Sequence, residues 1–382
     1  MKALKKYRWP LTGALLGVLV FLAVYGVRVL DPTSVDWILN SLSPDPIQHY
    51  LGWELFRRSP VHLPYIGANY NAVYPFRTSV LFTDSLPLAA LFFKLLGGIL
   101  PTRFQYFGWW GLLCYALQGG LAQAVIARIA GVQPTFGRDD KSKAAIIMSP
   151  GQTAKLWGSV LGAGVLVLFP ALTIRMFAHT ALAANWLVLL ALYLWLCSDE
   201  LMPTTRRACL IWGGMGLLCA GIHLYYLPMV GLVLVGYAVR RALQKRGFAA
   251  AMLPVAAFCV TALAELFLLG AFAVNFAGYS NGYLSGADVV NLFVPGIAAS
   301  WEQIVYAGLG TTLAVVLALV CAAVHFSKAK AFFAAHRDWL IAGVVVLVLD
   351  LIAAGGNTVT VAGHTLFTVP IPQFLMNFWA MF

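Results

Sequence analysis

The sequence predicts an all-α, polytopic membrane protein, and three observations carry that prediction. Hydrophobic residues fill 61% of 382 positions while charged residues fill 10%, with a mean hydropathy of +0.83. Soluble domains run near one half apolar and one quarter charged, so a soluble fold of this composition would expose far too much apolar surface. Apolar runs of the length that crosses a bilayer, roughly 17–25 residues, recur along the chain. Basic residues gather in short segments between those runs, as they do in cytoplasmic loops.

Taken in order, the apolar runs fall at about 11–30, 104–130, 156–174, 181–197, 208–222, 226–239, 249–272, 304–326 and 339–355. The first has basic flanks but no small-residue cleavage site after it, so it reads as a retained anchor helix. A shorter run, 86–100, has Lys94 in its middle and suits a re-entrant or interfacial helix. Of 25 Lys and Arg residues, 18 lie at Lys2 to Arg8, Arg128 to Lys155, Arg206/Arg207, Arg240 to Arg246 and Lys328 to Arg337. The positive-inside rule then puts the N-terminus, 131–152, 198–207, 240–248 and 327–338 in the cytoplasm. Outside lie 31–85, 174–180, the His223–Pro228 turn, 273–303 and the residues after about 356. An odd number of crossings must separate 31–85 from 131–152, so 86–100 does not cross, which leaves nine full crossings among nine to ten membrane segments. The net charge of +11 therefore reports topology and not a nucleic-acid partner.

The whole of 1–382 reads as one transmembrane domain with two large extracytoplasmic loops, 31–85 and 273–303. The chain stops within an apolar, aromatic run, Pro370 to Phe382, as a chain truncated at its C-terminus would. The six cysteines lie within or at the ends of apolar runs without CxxC spacing, so they predict small buried side chains and neither a disulfide framework nor a zinc site. There is no GxGxxG, phosphate loop, HExxH or GxSxG, so nucleotide-driven transport and familiar hydrolase chemistry gain no support.

Chemistry is expected in the outer loops, which hold the polar residues. In 43–58, Ile47, Tyr50, Leu51 and Leu55 recur at helical spacing with Trp53 and Phe56 alongside, predicting an amphipathic helix at the membrane surface. Asp45 reads there as an N-cap, with Pro46 at the first helical position and Gln48 completing a capping box. Its chemical reading is a carboxylate able to take a proton from an acceptor hydroxyl, with His49 positioning substrate. Asp84 reads as an N-cap of the short run, or as an acid beside a helix end that faces an outer cavity and a lipid phosphate. Between them, Tyr65 to Arg77 is aromatic and amide-rich, as carbohydrate sites and interfacial aromatic belts both are. Arg175 and His179, four apart, predict one helix face, where Arg175 would bind phosphate or pair an outer carboxylate. Glu265 and Asp350 fall inside apolar runs, which marks them as functional or as structurally paired. The loop 273–303 adds Asp288, Asn291 and Glu302, followed by Tyr306; turns alone would also explain Asp288 and Asn291.

These residues carry a resemblance. Asp45-Pro46-Ile47-Gln48-His49-Tyr50-Leu51-Gly52-Trp53, Arg77-Thr78-Ser79, Phe82-Thr83-Asp84-Ser85 and Phe104-Gln105-Tyr106-Phe107-Gly108 resemble a family of bacterial membrane proteins grouped with GT-C-type glycosyltransferases. Arg175 with His179, Asp288 to Phe293, and Glu302 with Tyr306 to Gly310 resemble its later blocks, so the likeness covers essentially the whole chain. The resemblance implies a GT-C-like bundle in a bacterial cytoplasmic membrane, N-terminus inside. It implies an acidic residue in the first outer loop, matched by Asp45, and a sugar donor linked to polyprenyl phosphate. Transfer would be to a cell-envelope glycan, lipid or protein acceptor on the extracytoplasmic face. Asp45 and Asp84 are the expected catalytic acids. His49, Arg77, Arg175, His179, Asp288, Asn291, Glu302 and Tyr306 are the expected substrate ligands. A magnesium or manganese ion held by Asp45 with Asp84, Asp288 or Glu302 fits the hard oxygen ligands, and the sequence leaves it open. Two rival readings stay open: a lipid or lipid-linked glycan transporter using Glu265 and Asp350, and a non-catalytic envelope assembly protein.

Overall fold

A computed structural model describes residues 9–132, 135–138, 144–147, 149–273, 288–292, 294, 309–355 and 358–370. The chain is mostly helical and divides into two compact units, Met1–Leu234 with Leu253–Asn275, and Val235–Met252 with Phe276–Phe382. The first unit holds α1 (Trp9–Tyr25), α2 (Asp36–Leu39), α3 (Pro44–Arg58), α4 (Pro87–Leu95) and α5 (Phe107–Ile129). After a small antiparallel hairpin, β1 (Thr135–Arg138) with β2 (Ala144–Ile147), come α6 (Pro150–Val167), α7 (Pro170–Arg175), α8 (Trp186–Leu196), α9 (Ser198–Leu201) and α10 (Thr205–Ile222). The helices α11 (Tyr226–Leu243) and α12 (Phe248–Leu269) run across the boundary between the units. The second unit continues with α13 (Leu309–Val324), α14 (Phe326–Ala335), α15 (Arg337–Gly355) and a second hairpin, β3 (Thr358–Val361) with β4 (His364–Thr368).

Among the described residues three helices, α5, α11 and α12, are long and apolar enough to cross a membrane, or four spans if α13 and α14, bent by 106°, are counted as one. Other expected runs are interrupted. The run 156–174 breaks at Leu168 and Phe169 ahead of Pro170, which cannot continue a helix. The run 181–197 opens with a 3-10 turn, Thr180–Ala183, before α8 begins at Trp186. The nine-residue α4 spans only about 14 Å at 1.5 Å per residue, too short to cross.

The first unit is built round α5, against which α1, α6 and α8 pack. The crossing of α1 and α5 depends on glycine. A Cβ on Gly13 would lie 2.2 Å from the Gly119 carbonyl oxygen, and one on Gly17 2.0 Å from that of Tyr115. Where lipid removes most of the hydrophobic drive between helices, such close backbone approach supplies the packing. Gln123 adds a polar tie, its Oε1 accepting from Gly13 N at 2.7 Å and Thr12 Oγ1 at 3.1 Å. On the other side, α10 meets α12 through Gly213 and Gly216, with Thr261 Oγ1 donating to Gly213 O at 2.8 Å.

Of the six free cysteines, Cys114, Cys197 and Cys219 are buried as expected, Cys209 is half-buried, and Cys259 and Cys321 are exposed on helix surfaces. In the second unit, Arg240 Nε donates to Asp338 at 3.0 Å beneath the Trp339 ring, tying the end of α11 to the start of α15.

Candidate functional site

Two helix starts compete in 43–46, because Ser43-Pro44 and Asp45-Pro46 carry the same cap-then-proline signal. The first wins. Ser43 is the N-cap of α3, its Oγ accepting from Asp45 N at 3.4 Å, with Pro44 at the first helical position. Asp45 is therefore not the expected cap. It sits half-buried in the first turn, where Ser43 Oγ also donates to its Oδ2 at 3.3 Å. A carboxylate there suits the positive end of the helix dipole.

The buried stripe of α3 is also turned from the expected face. It is Pro46, His49, Tyr50, Gly52, Trp53 and Phe56, whereas Leu51 is exposed and Ile47 and Leu55 are half-buried. The large rings take the inner positions: Trp53 packs on Phe104 and Tyr106 and donates to Phe104 O at 3.0 Å, and Lys94 caps the Phe56 ring at 3.9 Å. His49 rides on this stripe, one turn beyond Asp45, with its side chain only 4% exposed.

His49 Nε2 meets Asp84 Oδ2 at 3.1 Å, and His49 Nδ1 meets Thr180 Oγ1 at 3.1 Å. With Asp84 ionised, the network assigns the proton to Nε2 and makes Thr180 the donor to Nδ1. Asp84 is no helix cap: Leu86 precedes Pro87 at the start of α4 and caps it with no side-chain bond. Asp84 and Leu86 instead both adopt left-handed backbone, φ 52° and 55°, which Asp tolerates better than most L residues and which costs Leu86 roughly 1–2 kcal/mol. Ser85 between them is tethered on three sides. Its Oγ donates to His49 O at 2.7 Å and contacts Thr83 Oγ1 at 2.8 Å, while Tyr106 OH donates to Ser85 O.

The other carboxylate oxygen, Asp84 Oδ1, faces His223 Nε2 at 3.7 Å. Burial pushes the His223 imidazole below its ordinary value; the Asp84 charge opposes this, and His179, His49 and Arg175 add to it. All four of these side chains therefore act on His223. Arg175 and His179 reach the cluster differently from expectation: α7 ends at Arg175 and Phe177 turns left-handed at φ 64°. They share a turn and not a helix face, joined by His179 N donating to Arg175 O at 2.8 Å. Phe177 locks that turn by packing edge-on against Tyr25 and Trp37.

The remaining expected residues separate from this cluster or lie elsewhere. Arg77 is exposed, its guanidinium 5.5 Å over the Tyr70 ring, which in turn lies tilted against His62. Asn69, from the amide-rich stretch, is buried and donates to Gly52 O at 3.0 Å, so it braces the loop. In the second unit, Asp288 spends its carboxylate on backbone: it accepts from Val290 N, Ala362 N and Gly363 N at 2.8, 3.0 and 2.7 Å. These donors, Gly363 foremost, hold its carboxyl below the usual range, and they leave Asp288 the anchor of the β3–β4 turn. Asn291 is buried beside it, its N–H donating to Asp288 O at 3.0 Å. Glu302 and Tyr306 lie outside the described residues. Among the described residues no group of three His, Cys, Asp or Glu is arranged to hold a metal ion. Thr180 and His223 were not singled out from sequence: each is an isolated polar residue in a short turn between apolar runs.

Fold and site together define a helical protein with membrane-spanning segments, in which one carboxylate pairs with one imidazole and faces a second, on which an arginine charge also acts. The chain belongs to the family described as a domain of unknown function (DUF6311), whose model matches residues 14–382. No curated protein and no solved structure matches it.

Proposed function

We propose that the chain is a GT-C-like glycosyltransferase of a bacterial cytoplasmic membrane, moving a sugar from polyprenyl phosphate to a cell-envelope acceptor. The observation that carries this reading is Asp84 paired with His49 and faced by His223, on which the Arg175 charge also acts. A base and a cationic cradle in one partly water-excluded place are the two parts that such a transfer needs. In the step itself the acceptor oxygen bonds to the anomeric carbon while the bond from that carbon to the lipid phosphate oxygen breaks. Asp84, oriented by His49, takes the acceptor proton, and Arg175 with His179 offsets the charge on the departing phosphate. Asp45, one turn before His49, is the alternative base.

The finer topology belongs to the same reading: nine crossings, the N-terminus inside and the Asp84 cluster outside, with α4 re-entrant. A cysteine at Lys245 should be labelled only from the cytoplasmic side and one at exposed Tyr74 only from outside. The functional test is sugar transfer by the purified chain in liposomes supplied with polyprenyl-phosphate sugars. Failure to transfer any of a panel of such donors, with the fold intact, would remove the enzyme reading.

One observation favours a transporter instead. Glu265 in α12 is only 9% exposed, its Oε2 meets no partner among the described residues, and it packs beside Gly221, two residues before His223. Lipid movement lost in Glu265→Gln without loss of transfer would separate the two.

A further inference from the structure

The second unit holds a groove that the sugar-transfer reading does not use. The chain bends by 106° at His325, between the apolar α13 and the ten-residue α14. Cys321 and Ala322 from α13 and Phe332 and Phe333 from α14 line a groove of about 380 Å³ in the elbow, with His325 and Lys328 also lining it. That volume falls within the range of sites that take small molecules. Apolar side chains are exposed on both arms, Leu317, Val320 and Val324 on one and Phe326 and Phe332 on the other.

The geometry fits a helix that leaves the bilayer core and turns to lie along its surface, with rings at acyl-chain depth and lysines at headgroup depth. The charge is one-sided. Lys328, Lys330 and Arg337 are exposed, and the sequence has no Asp or Glu from 303 to 337. The next acid, Asp338, is already held by Arg240 and Gln244.

We propose that this elbow is a binding site for one anionic phospholipid, its acyl chain in the groove and its phosphate on Lys328. Charge complementarity selects that occupant: an apolar floor with a lysine lining it suits an amphipathic anion better than a purely apolar helix. The basic segment 327–338 also places the elbow on the cytoplasmic leaflet, where anionic lipids give the negative surface potential. Lys330 lies two residues on, hence on the other flank of α14, and contributes only to the general field.

The test uses the full chain in nanodiscs of mixed phosphatidylglycerol and phosphatidylcholine, with retained lipids counted by native mass spectrometry after mild detergent extraction. One phosphatidylglycerol should be retained selectively. Lys328→Gln should lower that retention about fivefold, the effect of one juxtamembrane lysine. Lys330→Gln should change it less than about twofold, and Lys328→Arg should preserve it. Ala322→Phe, which fills the groove, should lower retention of either lipid, with melting curves confirming that each variant folds. Equal retention of the two lipids would overturn the proposal. So would equal losses in Lys328→Gln and Lys330→Gln, which would mean a diffuse field. A dimer dissociated by Ala322→Phe would overturn it as well, because a second copy would then fill the groove.

Discussion

Replacing Asp84 separates chemistry from scaffolding, because its backbone is strained and its side chain is paired. Asn has the same shape as Asp and is among the few L residues that tolerate a left-handed φ, so Asp84→Asn leaves the φ 52° turn intact. It exchanges a charged acceptor for a neutral one opposite His49, which costs about 1 kcal/mol of stability. It cannot accept a proton at neutral pH, so sugar transfer should fall by about 10²-fold or more. Asp84→Ala adds two penalties. Left-handed backbone in a residue with no local hydrogen bond to offer costs roughly 1–2 kcal/mol, and the buried His49 Nε2 left without a partner costs a further 1–3 kcal/mol. The Ala variant should therefore melt well below the Asn variant while being no more inactive. Melting in detergent and initial rates of transfer in liposomes give the two readouts. Near-normal transfer by Asp84→Asn would refute the reasoning and reduce the cluster to a structural clamp; a large loss in Asp45→Asn would then move the base to the first turn of α3.

Three further outcomes follow from the same geometry. Ser43→Ala should cost about 0.5–2 kcal/mol from the lost cap of α3, whereas Asp45→Asn should change the melting point little; equal losses would return the cap to Asp45. Gly17→Leu forces a side chain to within 2.0 Å of the Tyr115 carbonyl and should destabilise the α1–α5 crossing by at least about 1–3 kcal/mol, whereas Gly158→Ala, with nothing within 4 Å, should be nearly silent. Burial lowers the His223 value in the folded chain, so below the ordinary imidazole value of about 6.5 the unfolded chain binds the extra proton. Stability should be fully present near pH 7.5 and fall as pH drops below that value, with a shallower fall in His223→Gln.

Much of the site was legible because its polar residues stand out in an apolar chain. His49, Asp84, Arg175 and His179 were all expected, and the fold brings them together round His223. What was not legible turns on backbone geometry. Ser43-Pro44 and Asp45-Pro46 give the same start signal two residues apart, and only the extended Ser43 backbone, φ −91° and ψ 140°, shows which is used. The spacing of Arg175 and His179 implied a continuous helix, but Phe177 breaks it and finds its place among Tyr25 and Trp37, contacts far away in sequence. His223 carried no local signal, since one histidine between two apolar runs is as readily a solvated turn residue. Asp288 and Asn291 looked like ligands in a polar loop, yet the donors that occupy Asp288 include Ala362 and Gly363, more than seventy residues on.

The strain at residues 84 and 86 is itself an argument for function. Left-handed backbone on both sides of Ser85 is strained, costing roughly 1–2 kcal/mol at Leu86 alone by the usual scale, a sizeable share of the stability of an ordinary domain. Such a turn persists only where its surroundings over-determine it. Here they do: the Ser85 hydroxyl is fixed to the α3 backbone at His49, the Ser85 carbonyl is fixed by the buried Tyr106, and Thr83 is fixed to Val80 O at 2.9 Å. The bond to His49 O ties the Asp84 turn to the same residue whose ring holds the Asp84 carboxylate. The carboxylate and its imidazole are thus set at 3.1 Å by two independent connections, one through backbone and one through side chains. A glycine at 86 would relax the strain there and leave both connections in place, whereas a glycine at 84 would keep the backbone connection and lose the side-chain one. Only the carboxylate requires residue 84 to carry a side chain in that conformation. Asp84→Gly should therefore keep or raise the melting point relative to Asp84→Ala while abolishing transfer, and transfer retained by the glycine variant would sink the catalytic role.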